Sequence, residues 1–207
     1  MATIAKTAFE VKISNHEFDS IANITGYFQT DGAADICPAG MLCIRDTLTD
    51  NDGYTSVGPS DATVTIKNMN TWTMKVAPAA TAAQTGIYAC NPFDVNMITD
   101  PATGAVYKVG SNTLGLPAPA GYPVTFTKIE FNNNNVYRFG VGNVNGTVTN
   151  QTFFTIANGL LVPAAAAPTT ADAPYFQLVG SGTFTVGASA GFGYYDLRAC
   201  KTVAAAG

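Results

Sequence analysis

The stretch Thr71-Trp72-Thr73-Met74-Lys75-Val76 decides the fold class. Trp72, Met74 and Val76 alternate with Thr71, Thr73 and Lys75. Successive side chains of a strand point to opposite faces, so this run buries one face and wets the other. The same period of two recurs outward in both directions. Phe9, Val11 and Ile13 alternate with Glu10 and Lys12, Val64 and Ile66 with Thr63, Thr65 and Lys67, and Tyr195, Leu197 and Ala199 with Asp196 and Arg198. Enrichment in Thr, Val, Phe and Tyr predicts further strands at 41–45, 105–109, 124–131, 136–141, 152–156, 175–179 and 183–186. The pattern is that of antiparallel sheets with one exposed side.

Turn chemistry falls between these runs, at Asp31-Gly32, Asp52-Gly53, Asn145-Gly146, Asn158-Gly159 and Gly180-Ser181-Gly182. Asn and Gly tolerate the positive φ of tight turns. The run 132–135 reads as a hairpin loop. Ser14 and Glu17 have capping-box spacing ahead of Phe18, Ile21 and Ala22, which predicts a short helix over 15–23. A second turn or two of helix is expected within 91–99. The expected fold is therefore all-β: an antiparallel sandwich or barrel-like domain over 31–203, with at most one or two short helices. An irregular N-terminal arm precedes it over 1–30, and a frayed tail follows at 204–207. Pro/Ala stretches at 77–83, 116–121 and 163–168 punctuate the chain, and the first marks a candidate division into two β subdomains near 77–90.

Of the 207 residues, 12% are charged, against about 25% in an average domain. Net charge is −4, so electrostatic repulsion opposes association only weakly. Such a surface fits a protein that buries much of itself against its own copies or a partner. The alternative is an uncharged polar monomer. The ten basic residues are scattered from Lys6 to Lys201 and the pI is near 4.7, which excludes the concentrated basic face that nucleic acid requires. No apolar leader opens the chain and no run of about 18 apolar residues occurs, so neither export nor a membrane span is expected. Cys37, Cys43, Cys90 and Cys200 lack zinc spacing and are expected to be free thiols.

Little points to catalysis or to a cofactor. His16 is the single histidine, and no Gly-x-Ser-x-Gly elbow supplies a nucleophile. Gly140-Val-Gly142 lies between strands and opens no helix, so it is not a dinucleotide fingerprint. Asp46, Asp50 and Asp52 precede Gly53 and Tyr54 and read as a polar turn; the alternative, loose calcium binding between loops, fails the EF-hand template. The sequons at Asn23, Asn145 and Asn150 read as chance in an Asn/Thr-rich chain. Most aromatics fall on the apolar side of alternating strands, as core residues do.

The segment Thr30-Asp-Gly-Ala-Ala-Asp-Ile-Cys-Pro-Ala-Gly-Met-Leu-Cys-Ile-Arg-Asp46 resembles the opening of head decoration proteins of tailed bacteriophages: an Ile, a Pro-Ala-Gly turn, then Met-Leu and a strand. The stretch from Ala157 to Pro168 and the final hairpin, 180–188 followed by 193–202, are similar in style. The resemblance implies a structural virion protein and not an enzyme. Such a protein would be made in the host cytoplasm and would bind the outer face of the head as a homotrimer. Its partners would be itself and the major capsid protein, with no nucleic acid and no membrane. Phe9, Val11, Lys12 and Ile13 are then the expected subunit or capsid contacts, adding to a neighbour's sheet edge. On this expectation, deleting residues 2–13 abolishes capsid occupancy and leaves the rest folded. The alternatives are a phage tail, fibre or filament subunit, and a carbohydrate-binding β-sandwich module.

Overall fold

The computed structural model describes residues 7–12, 23–48, 55–57, 63–65, 71–78, 86–93, 97–99, 106–108, 115–186 and 189–203. The strands in chain order are β1 (Phe9–Lys12), β2 (Asn23–Thr30), β3 (Ala33–Ala34), β4 (Leu42–Leu48), β5 (Thr55–Val57), β6 (Thr63–Thr65), β7 (Thr71–Val76) and β8 (Tyr88–Cys90). They continue as β9 (Met97–Thr99), β10 (Val106–Lys108), β11 (Val124–Lys128), β12 (Val136–Gly140), β13 (Phe153–Ala157), β14 (Leu160–Ala164), β15 (Pro174–Val186) and β16 (Ser189–Lys201). The protein is all-β, and the helix among the described residues is one 3₁₀ turn, Val141–Asn143.

Two layers result. In the first, β2, β7, β4, β8 and β11 follow one another in hydrogen-bonded order, and β11 pairs back onto β2, closing a five-stranded barrel. The β2–β7 pair is parallel and the other four barrel pairings are antiparallel. Gly26 makes the closure possible. It is in register with Val124 on one side and Trp72 on the other, and a Cβ there would stand 2.5 Å from Met74 Cγ and 2.9 Å from the Trp72 carbonyl oxygen. The second layer is a six-stranded antiparallel sheet in the order β1-β12-β16-β15-β13-β14.

The layers share a wall. Phe28, Cys43, Met74, Tyr88, Cys90 and Phe126 fill the barrel. Leu42, Ile87 and Ala89 alternate with them and pack instead against Tyr137, Phe139, Phe154, Phe176 and Leu197 of the second sheet. Strand β8, Tyr88-Ala89-Cys90, is buried at every position because both of its faces are covered. A strand covered on both sides needs no polar alternation, which is why the period of two does not reveal it.

Several boundaries differ from expectation, each for a physical reason. The expected irregular arm contributes two strands, β1 to the sheet and β2 to the barrel. The candidate division near 77–90 falls between β7 and β8, which both belong to the barrel; the chain changes layer between β1 and β2 and again between β11 and β12. Residues 132–135 therefore cross between layers and do not form a hairpin, with Asn132 and Asn134 at φ 63° and 56°. Gly180-Ser181-Gly182 continues β15: Leu178 faces Leu197 and Gly180 faces Asp196, so Val179 is a bulge in an unbroken strand. Met97–Thr99 is strand β9, paired with β10, and not helix. The helix expected over 15–23 lies outside the described residues except for Asn23, which begins β2. Two expected hairpin turns form as read: Asp31-Gly32 (φ 51° and 79°) between β2 and β3, and Asn158-Gly159 (φ 48° and 73°) between β13 and β14.

Candidate assembly surface

Strand β1 is one edge of the six-stranded sheet. Phe9 does not face outward: its ring is 3% exposed, stacks on Tyr137 at 6.2 Å and tilts against Phe139 at 5.2 Å. Its side chain therefore belongs to the core, and a contact through Phe9 would be made by its backbone. Val11 and Lys12 stand in register with Tyr137 and Val136, and Ile13 lies outside the described residues. What β1 offers is its backbone, since β12 is its strand partner among the described residues. An edge strand presents N–H and C=O groups to which another chain can add.

The opposite edge is blunted. Pro163 removes a donor from β14, Val144 bridges Leu161, and the Asn145 N–H donates to the Leu161 carbonyl at 2.8 Å. The hairpin of β15 and β16 is longer than its flanking strands. β12 pairs with β16 only over Tyr194–Arg198, and β13 pairs with β15 only at Phe176 and Gln177, so residues 183–186 and 189–193 run on as a two-stranded ribbon. Val179, at the β15 bulge that precedes the ribbon, is 52% exposed. No charged residue occurs from 139 to 171 or from 173 to 195, which leaves Asp172 as the single charge in that whole span.

Asn143 holds β1 to both layers. Its Oδ1 accepts from the Ala8 N–H at 3.0 Å and its Nδ2 donates to the Ala39 carbonyl at 2.8 Å, and the side chain is buried. Asn143→Ala strands a buried donor on Ala8 and a buried acceptor on Ala39. At about 1–3 kcal/mol for each unsatisfied group, the variant should lose about 2–6 kcal/mol of stability, read by urea denaturation.

On the face of the sheet away from the barrel, Arg138 and Asp196 are directly opposite across β12 and β16. Arg138 Nε and Nη2 donate to Asp196 Oδ1 and Oδ2 at 2.7 and 2.9 Å, and the guanidinium lies 3.8 Å from the centre of the Tyr194 ring. This bidentate geometry is the strong form of the pair. Sequence reasoning passed over it, although the alternation of Asp196 and Arg198 with apolar neighbours marks this face as polar.

The titratable groups are arranged as follows. Asp46 is engaged by Lys75 Nζ at 2.8 Å; His16, Asp50 and Asp52 lie outside the described residues. Among the described residues no group of three His, Cys, Asp or Glu side chains has metal-binding geometry, and no helix is long and apolar enough to cross a membrane. All four cysteines are free thiols. Burial, reinforced by a hydrogen bond to Cys43, pushes the Cys37 thiol far above its ordinary range. The hydrogen bond with Cys37, and then burial, raises Cys90 in the same direction.

The linked pH effect has a definite sign. A thiol that stays protonated in the fold while its unfolded counterpart ionises near pH 9 contributes stability below pH 9, and that stability is lost as pH rises further. The slope is about 1.4 kcal/mol per pH unit for each such thiol. Urea midpoints should therefore hold steady up to about pH 8.5 and fall between pH 9 and 10, and Cys37→Ala should flatten the fall. Identical alkaline slopes for the parent and the variant would assign the loss elsewhere.

Comparison with protein-family models, with curated proteins and with solved structures finds no match to this chain.

Proposed function

We propose that this chain is a structural subunit that works by assembly, and specifically a decoration protein of a phage head. The observation that carries the reading is the run from 139 to 195. It supplies most of the six-stranded sheet and the projecting ribbon, yet holds one charged residue, Asp172. Charged residues are depleted at the cores of permanent interfaces, and an uncharged strand-rich exterior is a hazard unless it is covered. The edge position of β1 among the described strands supports the same reading, because backbone pairing gives affinity without charged side chains. The resemblance of residues 30–46 supplies the kind of assembly. In the structure, Pro38-Ala39-Gly40 is a tight turn, with the Met41 N–H donating to the Pro38 carbonyl and Gly40 at φ 77°, leading directly into β4.

In this role the chain coats the outer face of the major capsid protein lattice as a homotrimer and reinforces it. The test is copy number and position on intact particles, by quantitative mass spectrometry and cryo-microscopy. Hundreds of copies at local symmetry axes are expected. A handful of copies at the tail, or fibres formed by the purified chain, would replace this reading with a tail or filament subunit. Glycan binding by the purified chain would favour the carbohydrate module.

A further inference from the structure

The chain contains two Asn-Gly pairs, Asn145-Gly146 and Asn158-Gly159. In such a pair the glycine nitrogen can approach the preceding side-chain amide carbon, because no Cβ obstructs it. The fold treats the two pairs differently. Gly159 is buried within the β13–β14 turn, its N–H donates to the Ala77 carbonyl at 2.7 Å, and a Cβ on it would collide with Met41 Sδ. Its nitrogen is thus hydrogen-bonded and held in a packed wall. Asn145 and Gly146 are both exposed, with Gly146 at φ 123°. The Asn145 N–H is tied to Leu161, but the Gly146 N–H makes no hydrogen bond among the described residues. Beside Gly146, the nearest group to the place of a Cβ is the Pro163 ring at 3.4 Å, an ordinary contact.

We propose that Asn145 is a site of spontaneous backbone modification, and that the fold protects Asn158 from the same reaction. The Gly146 nitrogen attacks Asn145 Cγ. The N–Cγ bond forms, the Cγ–Nδ2 bond breaks, and ammonia leaves with the proton that the Gly146 nitrogen gives up. The product is a five-membered succinimide. Water then adds to one of its two carbonyls and opens the ring to aspartate or isoaspartate. Water is the only co-reactant, and nothing is oxidised or reduced.

The position gives the reaction a consequence. Either product places a carboxylate in the stretch from 139 to 171, which otherwise has no charge. The isoaspartate route also adds a methylene to the backbone next to Val144, whose bridge to Leu161 covers the β14 edge. Ageing at this one residue thus charges and loosens the blunted edge of the sheet. The inference does not depend on the assembly proposal.

The experiment uses the purified full chain, held at 37 °C and mildly alkaline pH and sampled over days. Peptide mapping with fragmentation that distinguishes isoaspartate from aspartate follows both asparagines, in buffer and in concentrated urea. In buffer, Asn145 should convert faster than Asn158 by roughly tenfold or more, the factor that ~1.4 kcal/mol of local opening free energy imposes on the protected site. In urea the two should convert at similar rates, because only the fold separates them. Equal rates in buffer would overturn the proposal. So would an Asn145 that stays intact in buffer while converting in urea.

Discussion

Truncating Phe9 to alanine is expected to cost about 3–5 kcal/mol of unfolding free energy, the range for removing a fully buried aromatic ring. The ring lies between Tyr137 and Phe139 on an edge strand of four residues, in the core shared with Leu42, Ile87 and Ala89 of the barrel. A void there cannot be filled from β1 alone. Tyr137 is further fixed because its hydroxyl accepts from the Glu130 N–H at 3.0 Å, which ties β12 to the end of the barrel. Thermal unfolding gives the simplest measurement. At about 2–4 °C per kcal/mol for a chain of this length, the melting temperature should fall by roughly 6–20 °C. A fall of a degree or two would mean that β1 is an appendage. The same packing changes the outcome expected from deleting residues 2–13. That deletion uncovers Tyr137 and Phe139 and removes the Ala8 N–H from Asn143, so it should destabilise the sheet and not leave a folded remainder.

Phe9 also shows what the sequence can and cannot disclose. The alternation of Phe9 and Val11 with Glu10 and Lys12 marks a strand, and β1 is one. Periodicity does not say which neighbour a strand will find, and β1 pairs with β12, more than a hundred residues away. The barrel-like class was legible, but the strand order that closes the barrel was not, for the same reason. Its closure depends on β2 pairing with both β7 and β11, and the local signal at Gly26 is a glycine that ordinarily weakens a strand. Strand β8 was hidden by being buried on both faces, and β14 by Pro163, which argues locally against a strand and fits only because β14 is an edge. The type of fold was legible because it follows from the period-two pattern. The candidate surface was legible only as a composition, few charges. Its placement on one sheet edge and one ribbon comes from long-range pairing that no local window contains.

Replacing Asp196 with alanine is the second large effect, up to about 3–5 kcal/mol, because it removes the bidentate carboxylate from a largely buried guanidinium. The side chains of Arg138 and Asp196 are only 10% and 17% exposed, and Tyr194 lies under the guanidinium. The pair itself need not stabilise the protein by that amount. Desolvating two charges offsets most of their attraction, so replacing both with apolar residues, Arg138→Met with Asp196→Leu, should cost far less than Asp196→Ala alone. A double-mutant cycle on urea midpoints therefore separates the cost of removing one partner from the worth of the bridge. Salt sharpens the test. Lys75 and Asp46 form an ion pair of similar length, but their side chains are 48% and 41% exposed, so it should be worth less than about 1 kcal/mol and fade in concentrated salt. The Arg138–Asp196 coupling is shielded from solvent and should persist in 1 M salt, where the Debye length is about 3 Å. If both couplings vanish together on adding salt, the outer face of this sheet is wetter than its geometry implies, and the ion pair contributes nothing to holding β12 against β16.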